Sequence, residues 1–292
     1  MNWRNYIGAA ICLVIFVGCF FLGESGTVVF YFNIVSLMVV VSGTVGAVCL
    51  SHHFEQLKSA VMVAKNVYSN DVISSSDEVV HILLDMAVKS KYDGIISLEK
   101  YEEQISVSFL KNALALLVDG YDEDEIRDIL HTEMYYFKLR RQQSERVFRM
   151  MVAVAPPFGV AGSIIGLIGM LVGMGDTGVI LTTIPLALTA TLYSIVLSYF
   201  ILTPIAESIY SKTQGELFLQ SIIVEGVVEL RREKNLVKLE KRLSSFLTPS
   251  ARKTGGQGIR EIQKRFIEMK RAALKRTDNE TRSASSSVLN RL

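Results

Sequence analysis

The sequence predicts an all-α membrane protein with four transmembrane helices in two hairpins. Four long stretches of the 292-residue chain contain no Lys, Arg, Asp or Glu. They form two pairs, residues 5–23 with 25–51 and residues 150–175 with 177–206. Each is long enough for a ~30 Å hydrocarbon core, which needs about 20 helical residues. Hydrophobic residues make up 50% of the chain, and this is too apolar for an ordinary soluble domain.

The first hairpin, residues 5–51, is predicted to stay in the mature protein. Arg4 precedes an apolar run, as in a signal peptide, but the residues ahead of Glu24 are Phe-Phe-Leu-Gly and lack a small-x-small cleavage pattern. All 31 Lys and Arg lie at the N-terminus, between Ser51 and Met150, or after Ala206. By the positive-inside rule, both termini and the segment between the hairpins are expected in the cytoplasm.

Between the hairpins, residues 52–149 are predicted to form an acidic, helical cytoplasmic domain. A first helix starts at the serines before Asp77 and ends at Gly94, and a second is capped by Ser97 and ends at Gly120. The acids from 122 to 125 suit the first turn of a third helix. No breaker separates that helix from the third span. A solvated face is favoured for the acids over a binding site.

The second hairpin, residues 150–206, has an unusual composition for a plain anchor and is where we expect an ion path. Glycines of the third span are spaced for close backbone approach: Gly159, Gly162, Gly166, Gly169 and Gly173. Small and hydroxylated residues of the fourth span share one narrow face: Thr183, Ala187, Thr191, Ser194 and Ser198. A small-residue seam and a hydroxyl stripe without charge suggest an assembly that lines a polar path.

The spans carry no catalytic or ionisable group. Their interiors contain no Asp, Glu, Lys, Arg or His, whereas a protein that moves protons across a membrane normally keeps such a group at depth. The chain therefore conducts nothing by itself, or a partner supplies the carboxylate. No nucleotide-binding loop, HExxH or GxSxG signature occurs, so no enzymatic activity is predicted. The Cys and His spacings also predict no metal site or cofactor.

The chain after the second hairpin is predicted to have two parts. Residues 207–247 read as a rigid helical extension of the fourth span. Residues 248–292 read as a linker, a basic amphipathic helix and a Ser/Arg/Asn-rich tail that is expected to be disordered. The amphipathic helix suits either anionic membrane lipid or packing against the acidic middle segment. Nucleic acid is not expected as a partner.

Short motifs in the spans and the cytoplasmic segment resemble those of a known family. In the spans these are Val154–Gly159, Gly162–Leu167, Thr191–Tyr193 and Thr203–Ala206. In the cytoplasmic segment they are Leu116–Asp122 and the pair Lys89–Lys91 and Ser97–Lys100. Together they resemble the stator A subunits of the flagellar motor, MotA and its sodium-type relative PomA, and the cytoplasmic motifs resemble the PomA branch most. The resemblance covers most of residues 1–247.

The resemblance implies a function and partners. Stator A subunits form a ring of five in the bacterial inner membrane around a dimer of a B subunit, whose single helix carries the ion-binding Asp. Ion flow drives rotation of the rotor ring protein through charged cytoplasmic residues. By position, Lys91 and Glu99, with Lys89 in addition, match the rotor-facing residues, although the family has Arg where Lys91 stands. Pro156 and Pro204 match the family's two functional prolines, where a span can kink.

The transported ion is expected to be sodium rather than a proton. Ser163 falls where the sodium-type branch has Thr and a proton-type member has Ala, while Thr191 matches a Thr common to both. A hard cation favours hydroxyl and carbonyl oxygens, and Ser163 offers an oxygen that Ala lacks. A Ser in a membrane helix can also donate to its own i−4 carbonyl, here that of Gly159.

Two other functional classes remain open from sequence. The first is an ExbB/TolQ-like subunit, or a non-flagellar rotary-motor subunit, that energises another process. Those relatives usually have three spans, whereas this chain has four predicted spans in two pairs. The second is a structural membrane scaffold, which has no need of the Ser163 and Thr191 pair.

Overall fold

The computed structural model describes residues 31–69, 76–99, 107–173, 177–232 and 236–246, with isolated residues outside these ranges. Within them every regular element is a helix. The chain divides by its contacts into a first unit, residues 1–72 with 138–214, and a second unit, residues 73–137 with 215–292. The predicted span 5–23 and the segment 248–292 lie, apart from isolated positions, outside the described residues.

The described ranges contain eight α-helices. In chain order they are α1 (Ile34–Ser51), α2 (Phe54–Ser69), α3 (Ser76–Asp93), α4 (Ser108–Val118), α5 (Glu123–Val172), α6 (Thr177–Val196), α7 (Thr203–Arg232) and α8 (Leu236–Ser244). A 3-10 turn, Ile95–Leu98, follows α3, and a π turn, Leu197–Leu202, joins α6 to α7. The π turn widens the backbone at the end of the fourth span without ending the helix.

Three of the described helical segments are long and apolar enough to cross a membrane. They are α1, α5 and the continuous stretch from α6 through α7. The predicted span 25–51 is described as a helix only from Ile34, where the Asn33 side chain accepts hydrogen bonds from the backbone N–H groups of Val35 and Ser36 at 3.1 and 3.2 Å. This N-cap satisfies donors that would otherwise be unpaired at the start of the helix.

The first unit holds a small apolar core at one end of the spans. Its buried residues come from α1, α2, α5, the π turn and α7: Val48, Ala60, Val147, Phe148, Ala155, Leu202, Ala206 and Ile209. The α2 helix is tied to α7 by a hydrogen bond between the hydroxyls of Tyr68 and Ser208 at 3.3 Å. The Lys212 ammonium also donates to the Val67 carbonyl, at 3.3 Å, in the last turn of α2.

The second unit packs α3, α4 and α8 around the adjoining parts of α5 and α7. As predicted, α3 begins with Asp77 in its first turn and gives way to Gly94, whose φ of +84° suits glycine. Leu83 of α3 is fully buried against Gly226 of α7. A Cβ on Gly226 would lie 2.6 Å from a Leu83 methyl group, so the glycine permits this contact.

The predicted helix from Ser97 to Gly120 is wrong at its start. Ser97 lies inside the 3-10 turn, where its hydroxyl donates to the Gly94 carbonyl at 2.6 Å. Leu98, next to it, is fully buried and anchors the turn in the core. The next described helix, α4, starts at Ser108, and residues 100–106 lie outside the described residues. The hydroxyl therefore closes a tight turn.

The acidic run at 122–125 starts α5, as predicted. The Glu125 carboxylate accepts the Asp122 backbone N–H at 3.1 Å, which caps the helix. The guanidinium of Arg231 lies 3.6 Å from Asp122, and that of Arg232 lies 3.7 Å from Glu123. Asp122 and Glu123 thus have cationic partners within the second unit. From Glu123 the helix continues unbroken to Val172, as the absence of a breaker predicts.

The chain after α7 does not continue as one rigid extension, which corrects that expectation. Arg242 of α8 donates to Glu225 at 2.8 Å and to Glu229 at 2.9 Å, both on α7. In a single helix, Arg242 and Glu229 would be about 20 Å apart. Leu239 and Leu243 of α8 are instead buried in the core of the second unit. Burial of this apolar stripe explains why the chain reverses.

Candidate functional site

The glycine seam of α5 lies against α6, as predicted. A Cβ on Gly166 would lie 2.9 Å from both the Cβ and the backbone nitrogen of Ala187. A Cβ on Gly162 would lie 2.8 Å from the Cβ of Ala190. Contacts below 3.0 Å require one side to move, so these glycines set how closely the two helices pack.

The hydroxyl stripe of α6 faces the same seam. Thr183 lies opposite Gly169, and Ser194 lies opposite Gly159. Ser194 and Ser198 are almost completely buried, so the chain's own α5 covers this part of the stripe. The Ser194 hydroxyl donates to the Thr191 carbonyl of its own helix at 2.8 Å. Ser163, Thr183 and Thr191 are only half-buried, so the stripe is more open at these residues than at Ser194 and Ser198.

Ser163 and Thr191 meet in a small cluster of oxygens. Their hydroxyl oxygens are 2.5 Å apart. The Ser163 hydroxyl is also 2.6 Å from the carbonyl oxygen of Ala187 and 3.1 Å from that of Gly159. The cluster contains no charge, because residues 150–172 and 177–206 hold no ionisable Asp, Glu, Lys, Arg or His. It can offer neutral oxygen ligands to a cation but cannot balance its charge.

Both predicted kink prolines lie next to altered hydrogen bonding. Pro156 sits inside α5 and has no N–H for the carbonyl four residues earlier, that of Val152. The Ser198 hydroxyl donates to this carbonyl at 2.8 Å. Pro204 follows the π turn, where the N–H of Thr203 bonds to the Ser198 carbonyl five residues earlier. Sequence analysis did not single out Pro157, which follows Pro156 inside α5, or Pro185, which lies inside α6.

A second polar contact joins α1 to α6, and sequence analysis missed it. The hydroxyls of Ser36 and Thr189, both buried, are 2.9 Å apart. The Ser36 hydroxyl is also 2.9 Å from the Leu186 carbonyl. At the start of α1, the Tyr193 hydroxyl accepts the Asn33 N–H at 3.0 Å. No local pattern marks these pairs, because their members are 150 or more residues apart.

Charged side chains meet just beyond the spans. The Arg149 guanidinium lies 2.5 Å from Glu145 on α5 and 3.1 Å from Glu207 on α7. The hydrogen bond that the Arg149 guanidinium donates to Glu145 raises the pKa of Arg149 above its ordinary value, against the opposing effect of desolvation. Arg149 therefore stays charged and links the ends of the third and fourth spans.

The predicted rotor-facing residues lie in the second unit, at the C-terminal end of α3. Lys91 is in the last turn of α3 and Glu99 directly follows the 3-10 turn, and both are exposed. Lys89 is half-buried and lies two residues before Lys91 on α3. The structure thus places these residues around one turn, centred on Gly94. Within the described residues, neither Lys91 nor Glu99 forms an ion pair.

Comparison with known proteins places the chain in a family. A model of the MotA/TolQ/ExbB proton channel family matches residues 101–219. Motility protein A of Borreliella burgdorferi is 30% identical over 174 residues, which cover 60% of this chain and 67% of that protein. The chain belongs to the motility protein A family. Its members are the stator A subunits of the ion-driven flagellar motor, and this chain is one of these subunits.

Other members of the motility protein A family agree with this assignment. The chemotaxis protein PomA of Vibrio alginolyticus is 28% identical over 227 residues, which cover 78% of this chain and 88% of that protein. The flagellar MotAB stator complex of Bacillus subtilis contains a similar chain with a TM-score of 0.78 and 26% identity, over 88% of this chain and 99% of that one.

Proposed function

We propose that the Ser163–Thr191 cluster lies beside the ion path of a stator unit, and that a B-type subunit supplies the ion-binding carboxylate. The observation that carries the proposal is a half-buried group of oxygens inside spans that contain no charge. An isolated cation is costly to bury without a counter-charge. A carboxylate on a partner helix next to Thr191 would provide that charge.

The unit is proposed to contain five copies of this chain around two copies of the B-type subunit. Large apolar side chains of α5 remain exposed within one chain: Val160, Ile164, Ile165, Leu167, Ile168 and Leu171. Neighbouring copies, the partner helix and lipid would cover them. We place the unit in the bacterial inner membrane, with four spans and both termini of the chain in the cytoplasm. The distribution of Lys and Arg supports this orientation.

The transported ion is proposed to be sodium. The Ser163 hydroxyl oxygen lies 2.5 Å from the Thr191 hydroxyl oxygen and 2.6 Å from the Ala187 carbonyl oxygen. Neutral oxygens of this kind replace the water that a hard cation loses. A proton needs only the partner's carboxylate, so a proton path gives Ser163 no role beyond packing.

Contact with the rotor ring protein is proposed at the turn around Gly94. Lys91 and Glu99 present opposite charges from this exposed turn, and Lys89 is the adjacent cation. Exposed charges at an interface steer and orient the partner more than they stabilise the complex. These residues therefore suit a contact that forms and breaks repeatedly.

Ion flux in vesicles tests whether this chain conducts ions only together with the B-type subunit. Vesicles with this chain alone should conduct neither sodium nor protons above the level of empty vesicles, because its spans carry no ionisable group. Vesicles with the chain and its B-type partner should conduct. A partner whose spanning Asp is replaced by Asn is the matched control and should abolish the flux. Flux through the chain alone would contradict the proposal.

A further inference from the structure

Two disturbances of the helical backbone lie next to each other in the first unit. Pro156 removes the N–H that would bond to the Val152 carbonyl. In the π turn ahead of Pro204, the Thr203 N–H bonds to the Ser198 carbonyl, which is five residues earlier and not four as in an α-helix. An unpaired carbonyl is costly within a membrane, so neighbouring groups usually satisfy it.

Ser198 forms hydrogen bonds at both disturbances. Its hydroxyl donates to the Val152 carbonyl of α5 at 2.8 Å. Its own carbonyl accepts the Thr203 N–H and lies 2.9 Å from the Thr203 hydroxyl. The side chain is fully buried, so water cannot easily replace the bond to Val152. One residue thus joins the α5 site opened by Pro156 to the π turn next to Pro204.

We propose that Ser198 is a positioning residue that couples bending at Pro156 to bending at Pro204 during the motor cycle. The proposal rests on the proposed stator function and on the expectation from the sequence that the spans can kink at these prolines. If α5 bends at Pro156, the Val152 carbonyl moves relative to the helix after it. Ser198 must follow or lose its acceptor, and its carbonyl then displaces the π turn. The same hydrogen bonds transmit bending at Pro204 back to Pro156.

The replacement Pro156→Ala provides a direct test, because it restores an N–H for the Val152 carbonyl. We would compare the native chain, Ser198→Ala, Pro156→Ala and the double variant in a double-mutant cycle. Thr44→Val is the matched control. Thr44 is also buried in a span, but its hydroxyl donates only within α1, to the Val40 carbonyl at 2.7 Å.

The first measurement is the melting temperature of the purified stator complex. Ser198→Ala should lower it when Pro156 is present, because the Val152 carbonyl is then left unpaired. The same replacement should have little effect beside Pro156→Ala, where the restored N–H pairs with that carbonyl. Equal effects in the two backgrounds would show that the bond does not depend on Pro156 and would overturn the proposal.

The second measurement is rotation speed against ion concentration in cells whose native chain is replaced by each variant. Ser198→Ala should reduce the maximal speed by about twofold or more, since the cost of an unpaired carbonyl shifts the bending equilibrium by at least that factor. The ion concentration at half-maximal speed should not change, since Ser198 does not touch the ion. Thr44→Val should change neither quantity.

The outcomes separate this inference from the function on which it rests. Native speed in Pro156→Ala would refute bending at that proline, and with it this inference, but would leave the proposed stator function untouched, since that function is tested by ion flux. Reduced speed in Pro156→Ala with native speed in Ser198→Ala would refute only the coupling. A lower melting temperature of Ser198→Ala with an unchanged maximal speed would show a structural bond without a positioning role. That result, too, would overturn the proposal.

Discussion

Ser163 has more oxygen neighbours than its single proton can serve. It lies within 3.1 Å of the carbonyls of Gly159 and Ala187 and of the Thr191 hydroxyl. The two hydroxyls can donate only two hydrogen bonds among these oxygens. Lone pairs therefore remain on at least part of the cluster. A cation that approaches from the half-buried side can use them without breaking the helices.

Replacing Ser163 by Ala tests whether those lone pairs bind sodium. The external sodium concentration that gives half-maximal swimming speed should rise about fivefold, the effect of losing one oxygen contact worth ~1 kcal/mol. The measurement is speed against sodium at fixed pH, with Thr44→Val as a control that removes a hydroxyl elsewhere in the spans. A native motor indifferent to sodium would favour proton coupling and leave Ser163 as a packing residue.

At the level of residues, sequence predicts contacts within the hairpin better than contacts between hairpins. Ser163 and Thr191 lie on consecutive spans, so helical spacing and the family resemblance suffice to pair them. The bond between Ser36 and Thr189 depends on how α1 packs on α6. The bond from Ser198 to Val152 is an exception within the second hairpin, since sequence analysis did not find it although Pro156 indicates that the Val152 carbonyl needs a donor.

Among the elements, α8 is the one whose placement sequence does not predict. Its charged and apolar residues continue a helical pattern from α7, and Glu233, Lys234 and Asn235 include no Gly or Pro to mark a break. The reversal is favoured by long-range burial of Leu239 and Leu243. Such burial depends on the surrounding helices, and no local rule reports it.

Truncation of Leu243 should weaken the second unit. Leu243→Ala removes a fully buried side chain and should lower the free energy of unfolding by about 2–5 kcal/mol, as for other buried Leu residues. Lys241→Ala, at an exposed position of the same helix, should change it by less than ~0.5 kcal/mol. Urea-dependent proteolysis of the purified protein measures both. Equal stabilities of the two variants would show that α8 is not packed as described.

For the whole molecule, the fold class is predictable because hydropathy and charge are sufficient to find it. The charge-free stretches need no knowledge of tertiary structure, and the all-helical fold and its likeness to the Bacillus subtilis stator chain agree with them. The packing arrangement of the helices within the second unit depends on contacts between residues that are far apart in sequence. The predicted segment boundaries at residues 51, 149 and 206 stay predictions of where the membrane ends.

Motility of the whole assembly tests the charged turn around Gly94. Lys91→Glu and Glu99→Lys should each reduce swimming markedly while leaving the amount of chain in the membrane unchanged, because both side chains are exposed. Opposite charge reversals on the rotor ring protein should restore part of the speed. Asp128→Lys, at an exposed position of α5 in the same unit, is the control. Normal swimming of both variants would make the turn an ordinary solvated surface.

The glycine seam between α5 and α6 restricts the way in which the spans can move. Packed helices change arrangement either by shear, in which one slides along the other, or by rotation about a local hinge. Gly166 already brings α5 close to the backbone of Ala187. A slide by one residue would bring a bulkier side chain, such as that of Ile165 or Leu167, towards this narrow gap, whereas a slide of about one turn would bring Gly162 or Gly169 there. The spacing of the glycines therefore limits shear along this seam to steps of about one helical turn.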